Sequence, residues 1–207
     1  MRRITMLAAA AATAGIIATS IPSTGAGNGP PAHRHGAAGS GGSSRELASA
    51  IARARVALAP FATNLRRART GGGYKLQITR MIPDMGYHYM NPDVKEFDVR
   101  RPPILVYVRR GGKAQLVAAE WVFPTKPDEP PLPGARYGSF AAACHYADGT
   151  FTPEDDEAAC ARTSPDSGAA FSFWHPDLVT LHLWLWYPNP AGVFNGTNPL
   201  ISPFNKE

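Results

Sequence analysis

Aliphatic side chains alternate strictly with aromatic or polar ones in one stretch near the C-terminus, residues 178–187. Side chains on a β-strand point alternately to the two faces of its sheet, so this pattern predicts a strand whose two faces differ. One face is aliphatic, and we expect it to lie on the hydrophobic core. The other face is aromatic and carries a single imidazole. The aliphatic set is Val179, Leu181, Leu183 and Leu185, and the second set is Thr180, His182, Trp184 and Trp186.

A helical pattern begins near residue 43. Ser43 and Glu46 match a capping box, in which a hydroxyl and a carboxylate satisfy the first free amides of a helix. Apolar residues then recur at spacings of three and four and form one stripe. Pro60 removes a backbone hydrogen bond, so we expect a kink or a break there, and the glycines at 71–73 should end the segment. The stripe consists of Leu47, Ile51, Ala54, Leu58, Phe61 and Leu65.

Three shorter patterns predict further strands. Residues 74–79 alternate over a few positions, and residues 104–108 and 114–123 form two longer runs. Gly111 and Gly112 lie between these two runs, and glycine readily adopts the positive φ of a tight hairpin turn. The predicted fold class is therefore α+β, with an N-terminal helical segment packed on a small, mainly antiparallel sheet. Residues 83–92 are rich in turn formers, so we expect an irregular segment there.

Residues 124–176 are rich in proline, glycine and alanine and show no clear periodicity, which predicts a long loop that needs a brace. Cys144 and Cys160 are the only cysteines, and a disulfide between them would stabilise the fold by roughly 3 kcal/mol. Two free thiols, or Cys144 with His145 as metal ligands, are the alternatives. The acidic run 154–157 lacks the alternating spacing and glycine of a calcium loop, and it predicts a solvated loop tip.

The N-terminal segments differ in composition from the rest. Residues 1–26 are typical of a signal peptide, with a basic start, an apolar stretch and small residues at 24–26. A membrane anchor is the alternative, although the alanine-rich stretch is weak as a permanent span. Residues 27–44 predict a disordered linker, in which His33 and His35 are solvated rather than metal-binding. Residues 45–207 then form a single secreted or extracytoplasmic α+β domain, with no stable membrane span after processing.

Composition and charge narrow the classes of function. The chain has 207 residues and is 44% hydrophobic, which is enough for a sizeable core. Its formal charge of +5 is modest and scattered, so no nucleic-acid partner is predicted. No Gly-x-Ser-x-Gly elbow is present, and Asp98 with Glu120 is only a generic carboxylate pair. The sequence therefore shows no recognisable catalytic motif and does not favour an enzyme.

His88, Glu120 and His182 all lie in strongly apolar or aromatic stretches. A buried carboxylate or imidazole is unfavourable without a partner, so we expect the three to meet, either directly or around a metal ion. Imidazole and carboxylate ligands suit zinc, copper or iron, and three protein ligands leave one position open. No compact ligand motif is present, and hydrogen-bonded structural roles for the histidines are the alternative.

Aromatic residues suggest a different function, a binding module for a sugar, an apolar ligand or a cell-surface component. Flat rings supply a large contact area, and tryptophan or tyrosine keeps a polar group for hydrogen bonding. The alternative is that the helix and the long loop cover these rings, which would make them a second core in a structural or interaction domain. The candidate platform is Trp121, Trp184, Trp186, Tyr87 and Tyr89, with Trp174 and Tyr187 as further members.

Two motifs in the chain resemble those of a family of exported proteins of unknown function. The first is Met-Gly-Tyr-His-Tyr-Met-Asn-Pro at 85–92, and the second is His-Leu-Trp-Leu-Trp at 182–186 with the Asn-Pro-Ala-Gly-Val-Phe that follows at 189–194. The resemblance covers roughly residues 45–205 and implies export, but no established activity. Family members often carry a cysteine pair where this chain has Met81 and Pro203, so any brace must come from Cys144 and Cys160.

Overall fold

The computed structural model describes the backbone of residues 38–206 and the side chains of residues 42–206. The predicted signal peptide and most of the predicted linker lie outside these residues. The described chain contains an N-terminal helix, a six-stranded sheet and a three-stranded sheet, and all of the paired strands are antiparallel. The predicted α+β class is confirmed.

The helical segment is broken where the sequence predicts. Helix α1 spans Ala38–Leu58, and a short 3₁₀ turn, Ala59–Phe61, follows with Pro60 in its first positions. Helix α2, Leu65–Thr70, starts at an Asn64 side chain that accepts a hydrogen bond from the Arg67 amide. Because α1 begins at Ala38, the predicted capping box at Ser43 lies inside the helix rather than at its start.

The larger sheet consists of six strands, β1 Leu76–Gln77, β2 Tyr87–Met90, β3 Ile104–Arg110, β4 Lys113–Phe123, β5 Gly138–Phe140 and β9 Leu178–Trp184. Their order in the sheet is β1-β2-β3-β4-β9-β5. The predicted hairpin is confirmed, since β3 pairs with β4 across Gly111 and Gly112, whose φ angles are +54° and +74°. Positive φ at both turn residues is the geometry that favours glycine.

The predicted long loop contains a small sheet of its own. Its strands are β6 Ala143–Tyr146, β7 Phe151–Pro153 and β8 Phe171–His175, in the order β7-β6-β8. The disulfide between Cys144 and Cys160 is present and braces this region, which excludes the free-thiol and metal-ligand alternatives for Cys144. Strands of three to five residues are too short to display periodicity, so the sequence pattern misses them.

The two faces of the larger sheet are covered differently. On the helix face, Leu181, Leu183 and Leu185 join a core that includes Ala54 and Leu58 of α1, so the predicted packing is confirmed for these three members of the aliphatic set. The opposite face, which we call the cavity face, carries polar residues among apolar ones. Strand alternation and register place on it His88, Met90, Ile104, Val106, Ala118, Glu120, Val122, Thr180, His182 and Trp184.

The C-terminal segment closes one half of the cavity face. This segment is a 3₁₀ helix, Pro199–Phe204, and its Phe204 packs in one cluster with Trp184. Asp84 holds the segment in place, because its carboxylate accepts hydrogen bonds from the Ser202 hydroxyl at 2.7 Å and from the Asn205 amide at 2.9 Å. The small sheet lies over the other half of the cavity face.

None of the described helices has the length and apolarity needed to cross a bilayer.

Candidate metal centre

Strand register brings the three predicted ligands to one place. Glu120 on β4 lies directly opposite His182 on β9, so the two side chains are neighbours on the cavity face. His88 lies on β2, on the far side of β3, and reaches across that strand towards Glu120. The expectation that His88 sits on an irregular segment is wrong, because Tyr87–Met90 pairs with β3 in regular register.

The separations in this cluster fit a bound ion better than a hydrogen-bonded pair. One ligand atom from each of His88, Glu120 and His182 lies within 4.8 Å of the other two. His88 Nε2 is 3.5 Å from Glu120 Oε2, which is long for a hydrogen bond. Two ligands at about 2.1 Å from a tetrahedral ion are separated by about 3.4 Å, close to the observed distance.

All three side chains are buried, with only 2%, 8% and 3% of His88, Glu120 and His182 exposed. Burial disfavours the charged imidazolium and lowers the pKa of His88 to about 4 and that of His182 to about 3. Burial also raises the pKa of Glu120 to about 8. At neutral pH without a cation, the site therefore holds two neutral imidazoles and a protonated carboxyl group, and the contact between His88 and Glu120 is not an ion pair.

His182 is the least satisfied member of the cluster. Both of its ring nitrogens are buried and neither has a hydrogen-bond partner in the structure. An unpaired buried polar atom costs on the order of 1–3 kcal/mol, and most such atoms in native proteins are paired. A cation between the three side chains would satisfy one of these nitrogens and would favour the carboxylate form of Glu120.

The opposite ring nitrogen of His88 is fixed by Thr79. The Thr79 hydroxyl lies 2.7 Å from His88 Nδ1, and it also accepts a hydrogen bond from the backbone amide of His88 at 3.1 Å. Histidine ligands of metals typically hold their second nitrogen in such a hydrogen bond, which sets the tautomer and the ring orientation. Thr79 thus orients His88 with Nε2 towards Glu120.

Gly86 allows the approach of β2 to β3 just before His88. Its φ is +127°, and a Cβ atom at this position would lie 2.6 Å from the carbonyl oxygen of Tyr107. A side chain at residue 86 would therefore push β2 away from β3. This glycine belongs to the first of the two motifs. Its role is to let the strand that carries His88 lie close to β3, and it takes no part in the chemistry of the site.

A cavity of about 290 Å³ opens between the cavity face and the small sheet. His88 and Glu120 lie in its wall on one side, and His145 and His175 lie in its wall on the other. The remaining lining is mostly apolar and includes Ile78, Ile82, Met85, Met90, Ile104, Val122, Phe140, Phe173 and Leu178. Such an enclosure with a few polar groups is typical of sites for small molecules.

The aromatic platform predicted from the sequence is not formed. Trp121 and Tyr89 are buried in the core on the helix face, and Tyr87 and Trp186 pack against that same core. Trp184 is buried on the opposite face, where its Nε1 donates a hydrogen bond to the Asn195 carbonyl. The rings serve two cores because each of them removes a large apolar area from water.

Sequence reasoning missed His175, and it considered His145 only as a metal ligand together with Cys144, which the disulfide excludes. His145 lies on β6 and His175 ends β8, and the pairing of these strands places both rings in the cavity wall. They are separated by thirty positions in the sequence, in the region predicted to be a loop. The available signal was weak, namely an aromatic residue next to each histidine, Tyr146 beside His145 and Trp174 beside His175.

Comparison with models of known protein families, with curated proteins and with solved structures gave no match. The case for a function therefore depends on the geometry of the site.

Proposed function

We propose that this protein binds a divalent transition-metal ion through His88, Glu120 and His182. The observation that carries this proposal is His182, whose two buried nitrogens have no partner although they lie beside an imidazole and a carboxyl group. A bound cation supplies the missing partner for one nitrogen. It also offsets the unfavourable burial of a carboxylate at Glu120.

The donor set is consistent with zinc, copper or iron. Two imidazoles and one carboxylate occur in catalytic zinc sites and in non-haem iron sites, and in both cases a coordination position stays open. The cavity beside His88 and Glu120 supports a role for that position in holding a small ligand. Its mostly apolar lining favours a ligand with a polar end for the metal and an apolar body.

The proposal also includes export of the protein and its membership of the exported family that the two motifs resemble. The disulfide between Cys144 and Cys160 supports an oxidising compartment, which fits the signal peptide predicted at residues 1–26. The two motifs that resemble the exported family contribute His88 and His182, one from each motif. We propose that the family shares this pair of histidines and the use made of them.

Metal analysis of the purified protein tests the proposal. The protein is produced without a histidine tag and with His33→Gln and His35→Gln, so that these two histidines contribute no metal. After exposure to zinc and removal of unbound ions, we expect about one zinc per chain, the stoichiometry of a mononuclear site. We expect Glu120→Gln and His182→Gln to lose that zinc while the fold is retained.

Glu157→Gln is the matched control, because it makes the same chemical change at an exposed carboxylate. It should keep the zinc. A folded protein that takes up no zinc, copper or iron contradicts the proposal. Zinc that stays bound in both Glu120→Gln and His182→Gln contradicts the assignment of the ligands.

A further inference from the structure

A second pair of histidines faces the cavity from the small sheet. His145 is opposite Phe173 across the β6–β8 pairing, and His175 lies two residues further along β8, so both rings are on the same face. The Nε2 atoms of the two rings are 3.0 Å apart. His145 is 1% exposed, and its ring stacks on Phe173 at a centroid distance of 4.6 Å.

The other nitrogen of each ring shows which atoms carry protons. His145 Nδ1 lies 2.7 Å from the carbonyl oxygen of Ile78, and His175 Nδ1 lies 2.7 Å from the carbonyl oxygen of Pro176. A carbonyl oxygen only accepts hydrogen bonds, so each Nδ1 must be the protonated donor. In two neutral imidazoles, both Nε2 atoms then carry lone pairs, and these lone pairs point at each other.

Two lone pairs at 3.0 Å repel unless a cation lies between them. The arrangement is the one that metal-binding histidines adopt, with Nδ1 donating to a backbone carbonyl and Nε2 free to coordinate. At nitrogen–metal distances of about 2.0 Å, two ligands at a tetrahedral angle are about 3.3 Å apart. An opening of a few tenths of an ångström would therefore admit an ion.

We propose that His145 and His175 form a second metal site, separate from the first, which binds a monovalent copper ion through their Nε2 atoms. Imidazole binds several metals, whereas thioether sulfur selects monovalent copper, and Met85 and Met90 line the same cavity. A monovalent ion also adds less charge than a divalent one to an apolar enclosure, which lowers the desolvation penalty.

Titration with Cu⁺ tests the site in the His33→Gln/His35→Gln background. The ion is supplied with ascorbate as reductant, and a chromogenic Cu⁺ chelator competes for it. We expect His175→Gln to weaken Cu⁺ binding by at least about tenfold, the size of effect that even indirect partners of metal ligands produce. His182→Gln should leave this binding unchanged, and His175→Gln should leave zinc binding at the first site unchanged.

Ser172→Ala is the control on the same strand, because Ser172 is exposed and belongs to the other face of β8. His145→Gln provides a second test, and the urea midpoint of each variant shows that it is folded. Cu⁺ binding that survives in His175→Gln overturns the proposal. A ¹⁵N spectrum that shows a shared proton between the two rings at pH 7, with no Cu⁺ taken up, also overturns it.

Discussion

The two faces of the larger sheet use the same strands in opposite ways. On the helix face, Leu181 and Leu183 are fully buried among aliphatic and aromatic side chains that need no specific partner. On the cavity face, His182 lies between them in the sequence and is also buried, but neither of its two ring nitrogens has a partner. Burial alone therefore does not distinguish a core from a site. The kind of unpartnered atom does, because the helix face leaves only the Trp121 indole nitrogen among its described core residues without a partner, whereas the cavity face leaves both nitrogens of a side chain that can bind a metal.

This difference has consequences for stability. Apolar packing stabilises the folded chain directly, because burial removes hydrocarbon surface from water. A buried, unpaired imidazole or carboxyl group lowers stability until a ligand supplies its partner. We therefore expect substitutions on the helix face to destabilise the protein in all conditions. On the cavity face, the effect of a substitution should depend on pH and on bound metal.

The largest effect is expected for Leu183→Ala on the helix face. Leu183 is fully buried in the core beneath α1, so truncation leaves a cavity and should lower the free energy of unfolding by roughly 2–5 kcal/mol. Urea denaturation measures this change, and the same loss is expected with chelator or with zinc. Val56→Ala, at an exposed position of α1, is the control. A loss below about 0.5 kcal/mol, the size typical of surface changes, would contradict the assignment of the faces.

Strand alternation was enough to predict this contrast from the sequence. The period-two pattern of residues 178–187 separates Leu183 from His182 whatever the rest of the fold is. Glu120 stands out in the same way, as a carboxylate within an apolar strand. The sequence therefore identified polar residues in unfavourable apolar surroundings. The expectation that these residues meet required only that they lie on the same face of the sheet.

The remaining features depend on contacts between distant segments. His88 was expected on a loop because Pro83, Gly86 and Pro92 surround a strand of only four residues. The pair of His145 and His175 exists only because β6 and β8 align, and neither strand is long enough to show a period. Local pattern predicts which way a side chain points, but it does not reveal which distant strand lies beside it.

An intermediate effect is expected from pH in the metal-free protein. Burial raises the pKa of Glu120 from 4.5 to about 8, so the folded chain retains a proton that the unfolded chain has lost, and stability falls as pH rises through this range. Burial lowers the pKa values of His88, His145 and His182 from 6.5 to between about 3 and 4, so stability also falls as pH drops below 6.5. Because three histidines oppose one carboxyl group, the free energy of unfolding should be largest near about pH 7.

Urea denaturation in the presence of chelator, between pH 6.5 and 8, measures the contribution of Glu120 to the free energy of unfolding. One proton contributes about 1.4 kcal/mol per pH unit, so over this interval we expect the native protein to lose about 1.5 kcal/mol relative to Glu120→Gln. Glu120→Gln has no titrating carboxyl group there and reports only the opposite contribution of the three histidines, which lose their protons in the unfolded chain just above pH 6.5. If the stabilities of the two proteins change in parallel from pH 6.5 to 8, Glu120 already has a partner in the metal-free state.

The smallest effect, and the sharpest test of the contrast between faces, is expected for His182→Phe. Phenylalanine keeps an aromatic ring beside Trp184, whose centroid lies 5.0 Å from that of His182, but it removes the two buried nitrogens that lack partners. With chelator, this substitution should raise the free energy of unfolding by about 1 kcal/mol, because an unfavourable burial is relieved. With excess zinc the order should reverse, since only the native protein gains stability from the bound ion.

His182→Gln keeps a polar group at this position and should show the loss of zinc stabilisation without the gain in chelator. If His182→Phe instead destabilises the metal-free protein by more than about 1 kcal/mol, the imidazole has a structural partner and the cavity face is a core like the other.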